Sequence, residues 1–239
     1  MIEIGGMPVL WHIVKIYSFY GFNDFIICLG YKGIIIKEYF ANYFLHTSDI
    51  TFDFRDENKI TYHNHYNEPW KVTLIDTGLN SMTGGRLNRV KQYIGNETFC
   101  MTYGDGVSNV NINELIKFHR DQKVFATLMA VQEPGRFGTF SLKGDQHLIS
   151  NFREKPKDEN SAWINGGFFV LEPEIFNYLE GDSTIFEKKP LEKLSKEGKL
   201  AAYRHDDFWM PMDTLRDKNV LENMWNEGTP PWKTWSDNS

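Results

Sequence analysis

Asp105 is the residue whose type and surroundings point most directly to chemistry. It stands in the run Tyr103-Gly104-Asp105-Gly106, directly after the apolar segment 99–103, which we predict to be a buried strand. Ligands of open parallel sheets bind beyond the carboxyl ends of the strands. Flanking glycines would let a metal ion and a phosphate approach the backbone at such an end. The alternative role is that of a plain turn aspartate that caps the next element.

A second carboxylate, Asp213, lies within residues 210–214, just before a predicted helix. Mg²⁺ prefers oxygen ligands and often takes only one or two carboxylates beside substrate phosphates. Asp105 and Asp213 could therefore form a metal site for phosphoryl or nucleotidyl transfer. The alternative for Asp213 is a helix N-cap, a position that aspartate commonly occupies.

Two further segments carry groups that suit a sugar phosphate. Lys155 stands between a predicted strand and Pro156, so it is held in extended backbone and could pair with a phosphate. Asn165 and Gly166 open an apolar strand, and an amide both donates and accepts hydrogen bonds, as a sugar hydroxyl requires. The alternatives are a solvated surface lysine and a β-bulge at the glycines.

The run Thr83-Gly84-Gly85-Arg86 begins a predicted helix. Free N–H groups at a helix N-terminus bind anions, and Arg86 adds positive charge. This pattern favours a phosphate contact at the terminus. His63 and His65 have no matching ligand cluster, so we interpret them as surface or hairpin residues.

These groups need a scaffold, and the order of the predicted elements supplies one. Strands and helices alternate through residue 131, which predicts an α/β fold with a mostly parallel, Rossmann-like sheet flanked by helices. Beyond residue 134 shorter strands predict a small β-rich part. We predict helices at 8–20, 33–45, 84–94, 111–122, 173–180, 187–197 and 214–226, strands at 25–29, 72–75, 99–103, 124–131, 138–142, 148–152, 164–171 and 200–204, and a hairpin at 50–63.

Composition limits the classes of function. The net charge of −6 argues against broad nucleic-acid binding, which favours a basic surface. Cys28 and Cys100 lie in apolar strands without metal-ligand spacing, so we interpret them as core residues of a reducing compartment. No apolar stretch reaches the roughly 18 residues of a membrane span, and no signal pattern is present. We therefore expect a cytoplasmic protein without membrane partners.

The apolar ending 230–235 is too hydrophobic for a free terminus. We expect it to pack on its own domain or on a neighbouring subunit. With the hairpin at 50–63, it favours a homo-oligomer.

The motifs, taken in order, resemble those of the sugar-phosphate nucleotidyltransferase family, and the likeness covers essentially the whole chain. Segment 33–49 and the ending 231–235 resemble its cytidylyltransferase branch in particular. The runs that carry the resemblance are Asp76-Thr77-Gly78, Thr83-Gly84-Gly85-Arg86, Tyr103-Gly104-Asp105-Gly106, Pro134-Gly135-Arg136-Phe137-Gly138, Phe152-Arg153-Glu154-Lys155-Pro156, Ile164-Asn165-Gly166-Gly167-Phe168-Phe169 and Met212-Asp213-Thr214.

The resemblance implies a nucleotide-diphospho-sugar transferase fold in one domain, 1–239, with a nucleotide-binding part at 1–133 and a sugar-phosphate-binding part at 134–239. It implies transfer of CMP from CTP to α-D-glucose 1-phosphate, giving CDP-glucose and pyrophosphate for the dideoxy sugars of surface polysaccharide. Asp105 and Asp213 would be catalytic residues that hold Mg²⁺. The implied nucleotide-binding residues are Ser81, Gly84, Gly85, Arg86 and Gly104, and the implied sugar-phosphate-binding residues are Gly138, Glu154, Lys155, Asn165 and Gly166.

One departure from the family pattern matters. Family members carry a first strand and a Gly-Gly-x-Gly-Thr-Arg loop, followed by a Lys-Pro pair, before the segment that corresponds to residues 1–6. This sequence has none of these. We therefore expect the first strand of the sheet to be missing and the 239-residue chain to show little or no transferase activity. The alternatives are a uridylyl- or thymidylyltransferase and a non-catalytic sugar-phosphate-binding paralogue.

Overall fold

The computed structural model describes residues 1–63, 68–132, 139–142, 149–153 and 163–236, and for 139–142 and 149–153 it describes the backbone. The strands are β1 (Glu3–Ile4), β2 (Met7–Pro8), β3 (Asp24–Leu29), β4 (Asp49–Asp53), β5 (Lys59–His63), β6 (Lys71–Asp76), β7 (Phe99–Thr102), β8 (Gly106–Ser108), β9 (Ala126–Gln132), β10 (Thr139–Leu142), β11 (Ile149–Arg153), β12 (Trp163–Leu171), β13 (Leu200–Arg204) and β14 (Trp209–Pro211). The helices are α1 (Val9–Phe19), α2 (Gly33–Ala41), α3 (Tyr43–Thr47), α4 (Thr83–Ile94), α5 (Ile112–Gln122), α6 (Lys189–Lys196) and α7 (Leu215–Asn226), and a 3-10 helix spans Pro173–Tyr178.

A mixed four-stranded sheet, in the order β13-β9-β12-β7, is the largest sheet among the described residues. β13 runs parallel to β9, whereas β12 runs antiparallel to both β9 and β7. β3 and β6 form a parallel pair, and β8 and β14 form an antiparallel pair. Three antiparallel hairpins join β1 to β2, β4 to β5 and β10 to β11. The α/β class with parallel strand pairs is confirmed.

The two faces of β12 supply two hydrophobic cores, because successive side chains of a strand point to opposite faces. Phe168 and Val170 lie in one core, together with apolar residues of α1, α5 and α7. Phe169 and Leu171 lie in the other core, with residues of α4, α6 and the 3-10 helix. The sheet therefore lies between two layers of helices, as the alternating sequence pattern predicts.

β3 and β7 are less buried than their continuous apolar sequences predict. Residues 25–28 and 99–102 are only partly buried, and in β3 only Leu29 is fully buried. Among the described strands, β3 pairs only with β6 and β7 pairs only with β12. Each strand therefore has one edge without a ladder, and the prediction of two fully buried strands is wrong. Cys28 and Cys100 are correspondingly half-buried and unpaired.

The carboxyl-terminal segment folds back onto its own domain, as predicted. Trp232 is fully buried and Trp235 is nearly so, and both pack in the core beside α1 and α7. His12 is fully buried among the indole rings, where its Nε2 donates to the Ile4 carbonyl at 2.9 Å. The Trp232 indole N–H donates to His12 Nδ1 at 3.3 Å. Buried polar atoms that find such partners hold the tail to α1.

Sequence patterns located most elements within a few residues, and they missed four short strands. These are β1, β2, β8 and β14, each of two or three residues. The helix predicted at 33–45 divides into α2 and α3 at Asn42. Strands this short carry too few residues to show an alternating pattern. Across the described ranges, no helix is long and apolar enough to cross a bilayer.

Candidate functional site

Two short strands bring Asp105 and Asp213 together. β8 begins directly after Asp105, and β14 ends two residues before Asp213. Their antiparallel ladder places Gly106 opposite Pro211, and the Met212 N–H donates to the Asp105 carbonyl at 2.7 Å. Because β8 and β14 were not predicted, the sequence motifs named both carboxylates without indicating how they meet.

The two carboxylates interact electrostatically. Partial burial raises the pKa of Asp105 above its ordinary value, and the charge of Asp213 raises it further. Asp213 is not the N-cap of α7, since Thr214 occupies that position in a capping box with Asp217. The Asp213 carboxylate is exposed and is not used to cap the helix. The N-cap alternative for Asp213 is therefore wrong.

A cavity of about 240 Å³ lies beside this carboxylate pair. Its wall includes the end of β7, the start of β12 and the residues around β14. The Trp209 indole N–H donates to the Gly166 carbonyl at 2.7 Å, which joins β14 to β12. The lining residues are Thr102, Tyr103, Asp105, Gly106, Ile164, Asn165, Gly166, Gly167, Phe168, Trp209, Pro211 and Asp213.

Asn165 and Gly166 lie in this cavity wall and also form the predicted bulge. The pairing of β12 with β9 shifts register between Asn165 and Phe169. Gly167 has a φ of +78°, a conformation that favours glycine, and a Cβ there would lie 2.8 Å from the Tyr103 ring. The bulge changes the direction of the strand, so that Asn165 lies beside Tyr103 and lines the cavity.

The N-terminus of α4 differs from what the sequence predicted. The Gly84 and Gly85 N–H groups donate to the Thr184 carbonyl at 2.9 and 3.2 Å. The Met82 N–H donates to the Asp182 carbonyl at 2.8 Å. These amides are therefore not free for an anion, and the prediction of free N–H groups is wrong. The glycines instead allow a loop to approach closely, since a Cβ on Gly85 would lie 2.3 Å from the Asp182 carbonyl oxygen.

Arg86 holds the loops that follow β3 and β6. Its Nη1 donates to the Leu29 carbonyl at 3.0 Å and to Thr77 Oγ1 at 2.7 Å, and its Nη2 approaches the Leu79 carbonyl at 3.4 Å. No carboxylate in the described ranges forms an ion pair with this guanidinium. Its positive charge therefore remains available to an anionic ligand at the carboxyl ends of these strands.

The remaining predicted site residues divide into two groups. Ser81 is buried, and Gly104 is exposed with open space where a side chain would be. Gly138, Glu154 and Lys155 lie outside the described residues.

Sequence reasoning did not assign Tyr103 and Trp209 to the site, although Tyr103 belongs to the same run as Asp105. Burial raises the pKa of Tyr103 well above its ordinary value, so its hydroxyl stays protonated at neutral pH.

The donor set fits a hard divalent cation that keeps other ligands. In the part of the chain that the structure describes, no group of three His, Cys, Asp or Glu side chains could hold a metal. Two carboxylates alone suit Mg²⁺, which completes its shell with water and substrate phosphate. A zinc or calcium cage, which needs more protein ligands, does not match this pair.

The chain belongs to the nucleotidyl transferase family, whose sequence profile matches residues 1–237. It is 53% identical to the glucose-1-phosphate cytidylyltransferase of Salmonella typhimurium over 236 residues, which cover 98% of this chain and 90% of that protein. It is 43% identical to the probable glucose-1-phosphate cytidylyltransferase of Bacillus subtilis over 233 residues, 97% of this chain and 89% of that protein.

Solved structures show the same fold at low identity. The UDP-glucose pyrophosphorylase of Acinetobacter baumannii superposes with a TM-score of 0.68 at 15% identity, covering 97% of this chain and 87% of that chain. HddC from Yersinia pseudotuberculosis, in complex with GMP-PN, has a TM-score of 0.66 at 20% identity, covering 94% and 88%. These likenesses establish the architecture. They do not identify the substrates.

Proposed function

We propose that this chain transfers CMP from CTP to α-D-glucose 1-phosphate and forms CDP-glucose and pyrophosphate. The observation that carries the proposal is the meeting of Asp105, Asp213 and Asn165 at one cavity. It occurs in a chain that is 53% identical to a Salmonella typhimurium cytidylyltransferase. Joining two anionic substrates requires charge neutralisation and positioning more than a covalent nucleophile.

Asp105 and Asp213 would hold a divalent cation, which we propose is Mg²⁺. Bound there, it would neutralise charge on the substrate phosphates. Partial burial and, after it, the charge of Asp213 raise the pKa of Asp105, and a divalent cation would offset both effects on the ionised carboxylate. The hydrogen bond from Met212 N–H to the Asp105 carbonyl keeps the two backbone segments in register for this role.

The sugar phosphate is proposed to bind at the β12 side of the cavity. Asn165 would offer its amide to a sugar hydroxyl, and Gly166 lines the cavity beside it. Close packing against Met129 explains that glycine as well, because a Cβ would lie 2.6 Å from the Met129 methyl group. Gly138, Glu154 and Lys155 complete the proposed sugar-phosphate set, with Lys155 on the phosphate.

The nucleotide is proposed to bind at the carboxyl ends of β3, β6 and β7. Arg86 supplies positive charge there, while Ser81, Gly84, Gly85 and Gly104 would lie beside the nucleotide. Gly84 and Gly85 are buried and their amides donate to a loop carbonyl, so we propose that they shape the start of α4 beside the nucleotide and do not bind it through free N–H groups.

The test measures binding and turnover separately. Calorimetry with glucose 1-phosphate, and with CTP and Mg²⁺, should show binding of both ligands. Release of pyrophosphate is then assayed with CTP, UTP and dTTP. We expect CTP to be the preferred nucleotide.

Each arm can contradict the proposal. A preference for UTP or dTTP would replace the cytidylyl assignment with one of the related transferases. Binding of glucose 1-phosphate without any response to CTP and Mg²⁺ would identify a non-catalytic sugar-phosphate-binding protein. Binding of both ligands without release of pyrophosphate from any of the three nucleotides would contradict the proposed transfer.

A homo-oligomer in the cytoplasm is also proposed, and the β4–β5 hairpin supports it. Phe52, Phe54 and Ile60 expose between 47% and 80% of their surface, and Phe44 and Tyr62 lie beside them. An isolated hairpin with this much apolar surface gains stability by packing on another chain. Light scattering should give a mass above the 28.0 kDa monomer, and Phe52→Ser with Phe54→Ser should reduce it. A monomeric wild-type chain would contradict the proposal.

A further inference from the structure

Glu187 connects the start of α4 to the cavity wall, although no sequence motif singled it out. It follows the fully buried Phe186 and precedes α6. One carboxylate oxygen accepts a hydrogen bond from Thr83 Oγ1 at 2.6 Å, and the other accepts one from the Tyr103 hydroxyl. Thr83 opens α4 on the proposed nucleotide side, while Tyr103 lines the cavity.

The Glu187 carboxylate determines which group donates in the hydrogen bonds of Tyr103 and Asn165. An ionised carboxylate can only accept, so the Tyr103 hydroxyl must donate its single proton to Glu187. The Tyr103 oxygen is then left as an acceptor, and Asn165 Nδ2 donates to it at 3.2 Å. The relay runs in one direction, from Asn165 through Tyr103 to Glu187.

Hydrogen bonds at both Nδ2 and Oδ1 fix the orientation of the Asn165 amide. While Nδ2 donates to Tyr103, Oδ1 accepts the Gly167 N–H at 2.9 Å. A flipped amide would place the oxygen against a tyrosine oxygen that has no proton to donate, and the NH₂ group against an N–H donor. Nδ2 carries two protons, and the hydrogen bond to Tyr103 uses one of them. The second can serve a ligand oxygen in the cavity.

We propose that Glu187 is a positioning residue that acts through Tyr103 and fixes Asn165 as a hydrogen-bond donor toward a hydroxyl oxygen of the sugar phosphate. This inference rests on the proposed function, because it takes glucose 1-phosphate as the ligand of the cavity. Glu187 itself does not line the cavity, so it touches no reacting atom. Its effect is on the affinity and selectivity of the sugar side.

A double-mutant cycle tests the relay without requiring turnover. Glu187→Ala, Tyr103→Phe and the double variant are titrated with glucose 1-phosphate by calorimetry. Each single change should weaken binding about tenfold, the equivalent of about 1.4 kcal/mol. The double variant should also lose about tenfold and not about a hundredfold, because both changes interrupt the same relay. Glu192→Ala, an exposed glutamate of α6 near Glu187 in the chain, is the matched control and should bind as the wild type does.

Titration with a second ligand distinguishes a positioning role of Glu187 from a general structural defect. Affinity for CTP with Mg²⁺ should change less than threefold in Tyr103→Phe, which leaves the hydrogen bond from Thr83 to Glu187 in place, whereas a structural defect would weaken the binding of both ligands and lower the Tm. Independent losses that multiply in the double variant, or unchanged affinity in Glu187→Ala, would overturn the relay. If Glu187→Ala does not fold, Tyr103→Phe alone must show the tenfold loss. A wild-type chain that ignores glucose 1-phosphate would instead overturn the proposed substrate, and the relay with it.

Discussion

Asp105 and Asp213 form a pair of like charges at the edge of the cavity. Partial burial of Asp105 and the charge of Asp213 both raise the pKa of Asp105. A carboxyl group with a pKa raised in the folded state stabilises the fold only below its unfolded pKa, and that contribution is lost as the pH rises through the folded value. At neutral pH, in the absence of a cation, ionised Asp105 therefore destabilises the protein.

Asp105→Asn should consequently raise the Tm at pH 7 in the presence of a chelator, while affinity for Mg²⁺ falls by roughly tenfold or more because a cation ligand is lost. Differential scanning fluorimetry and calorimetry measure the two effects. Asp206→Asn, at an exposed aspartate away from the cavity lining, is the control and should change neither quantity. A lower Tm with unchanged affinity for Mg²⁺ would contradict the assigned role of Asp105.

At the scale of elements, the start of α4 is fixed by the loop that packs against it. The Asp182 and Thr184 carbonyls accept the first N–H groups, and Arg89 Nε donates to the Asp182 carboxylate at 2.7 Å. The loop thereby caps the helix, a task that a side chain performs in most helices. Tight packing of backbone on backbone leaves no room for a Cβ at Gly84 or Gly85.

Gly85→Ala should therefore destabilise the protein by about 1–3 kcal/mol, since the new Cβ would lie 2.3 Å from the Asp182 carbonyl oxygen. Urea unfolding measures the loss. Gly181→Ala is the matched control in the same loop, because a Cβ there meets no atom within 4 Å. Equal stability of both variants would contradict the close approach of the loop.

The start of α7 controls the position of Asp213. Thr214 accepts the Asp217 N–H at 3.2 Å, and the Asp217 carboxylate accepts the Thr214 N–H at 3.0 Å. This capping box fixes the backbone directly after Asp213. It links helix stability to the geometry of the carboxylate pair.

Thr214→Ala should cost about 1 kcal/mol of stability, the usual effect of removing an N-cap. It should also weaken Mg²⁺ binding, measured by calorimetry, because the segment that carries Asp213 gains freedom. Thr214→Ser, which keeps the capping oxygen, should restore both properties. Failure of serine to restore them would show that the cap does not position Asp213.

At the scale of the whole molecule, the carboxyl-terminal tail is held to α1 around a buried histidine. Burial lowers the pKa of His12 from 6.5 to about 4. The unfolded chain therefore takes up this proton more readily than the folded one. The stabilising contribution is present above pH 6.5 and is lost as the pH falls toward 4.

Unfolding free energy should accordingly fall by roughly 3 kcal/mol through His12 between pH 6.5 and pH 4. His119, whose pKa is also lowered by burial, adds to the loss. Urea unfolding as a function of pH measures the slope, which should be smaller in His12→Asn. His63→Asn, on the exposed hairpin, is the control and should keep the wild-type slope. A wild-type stability that does not change over this range would contradict the buried neutral state of His12.

The sequence by itself determined the features that depend on neighbouring residues. Apolar periodicity located α1, α4, α5 and α7 and the longer strands, and ordered motifs identified the family and named Asp105, Asp213 and Asn165. These signals are local, because the pattern of a helix or a strand depends on a few consecutive side chains. The burial of the apolar tail also followed from its composition.

Tertiary structure alone decided which distant groups meet. Strands β8 and β14 are too short to predict, yet their ladder joins the two carboxylates across more than a hundred residues. The partner of the Gly84 and Gly85 amides is a loop carbonyl, and the link from Thr83 to Asn165 passes through Glu187. Long-range hydrogen bonds of this kind depend on the path of the whole chain. No local pattern records them.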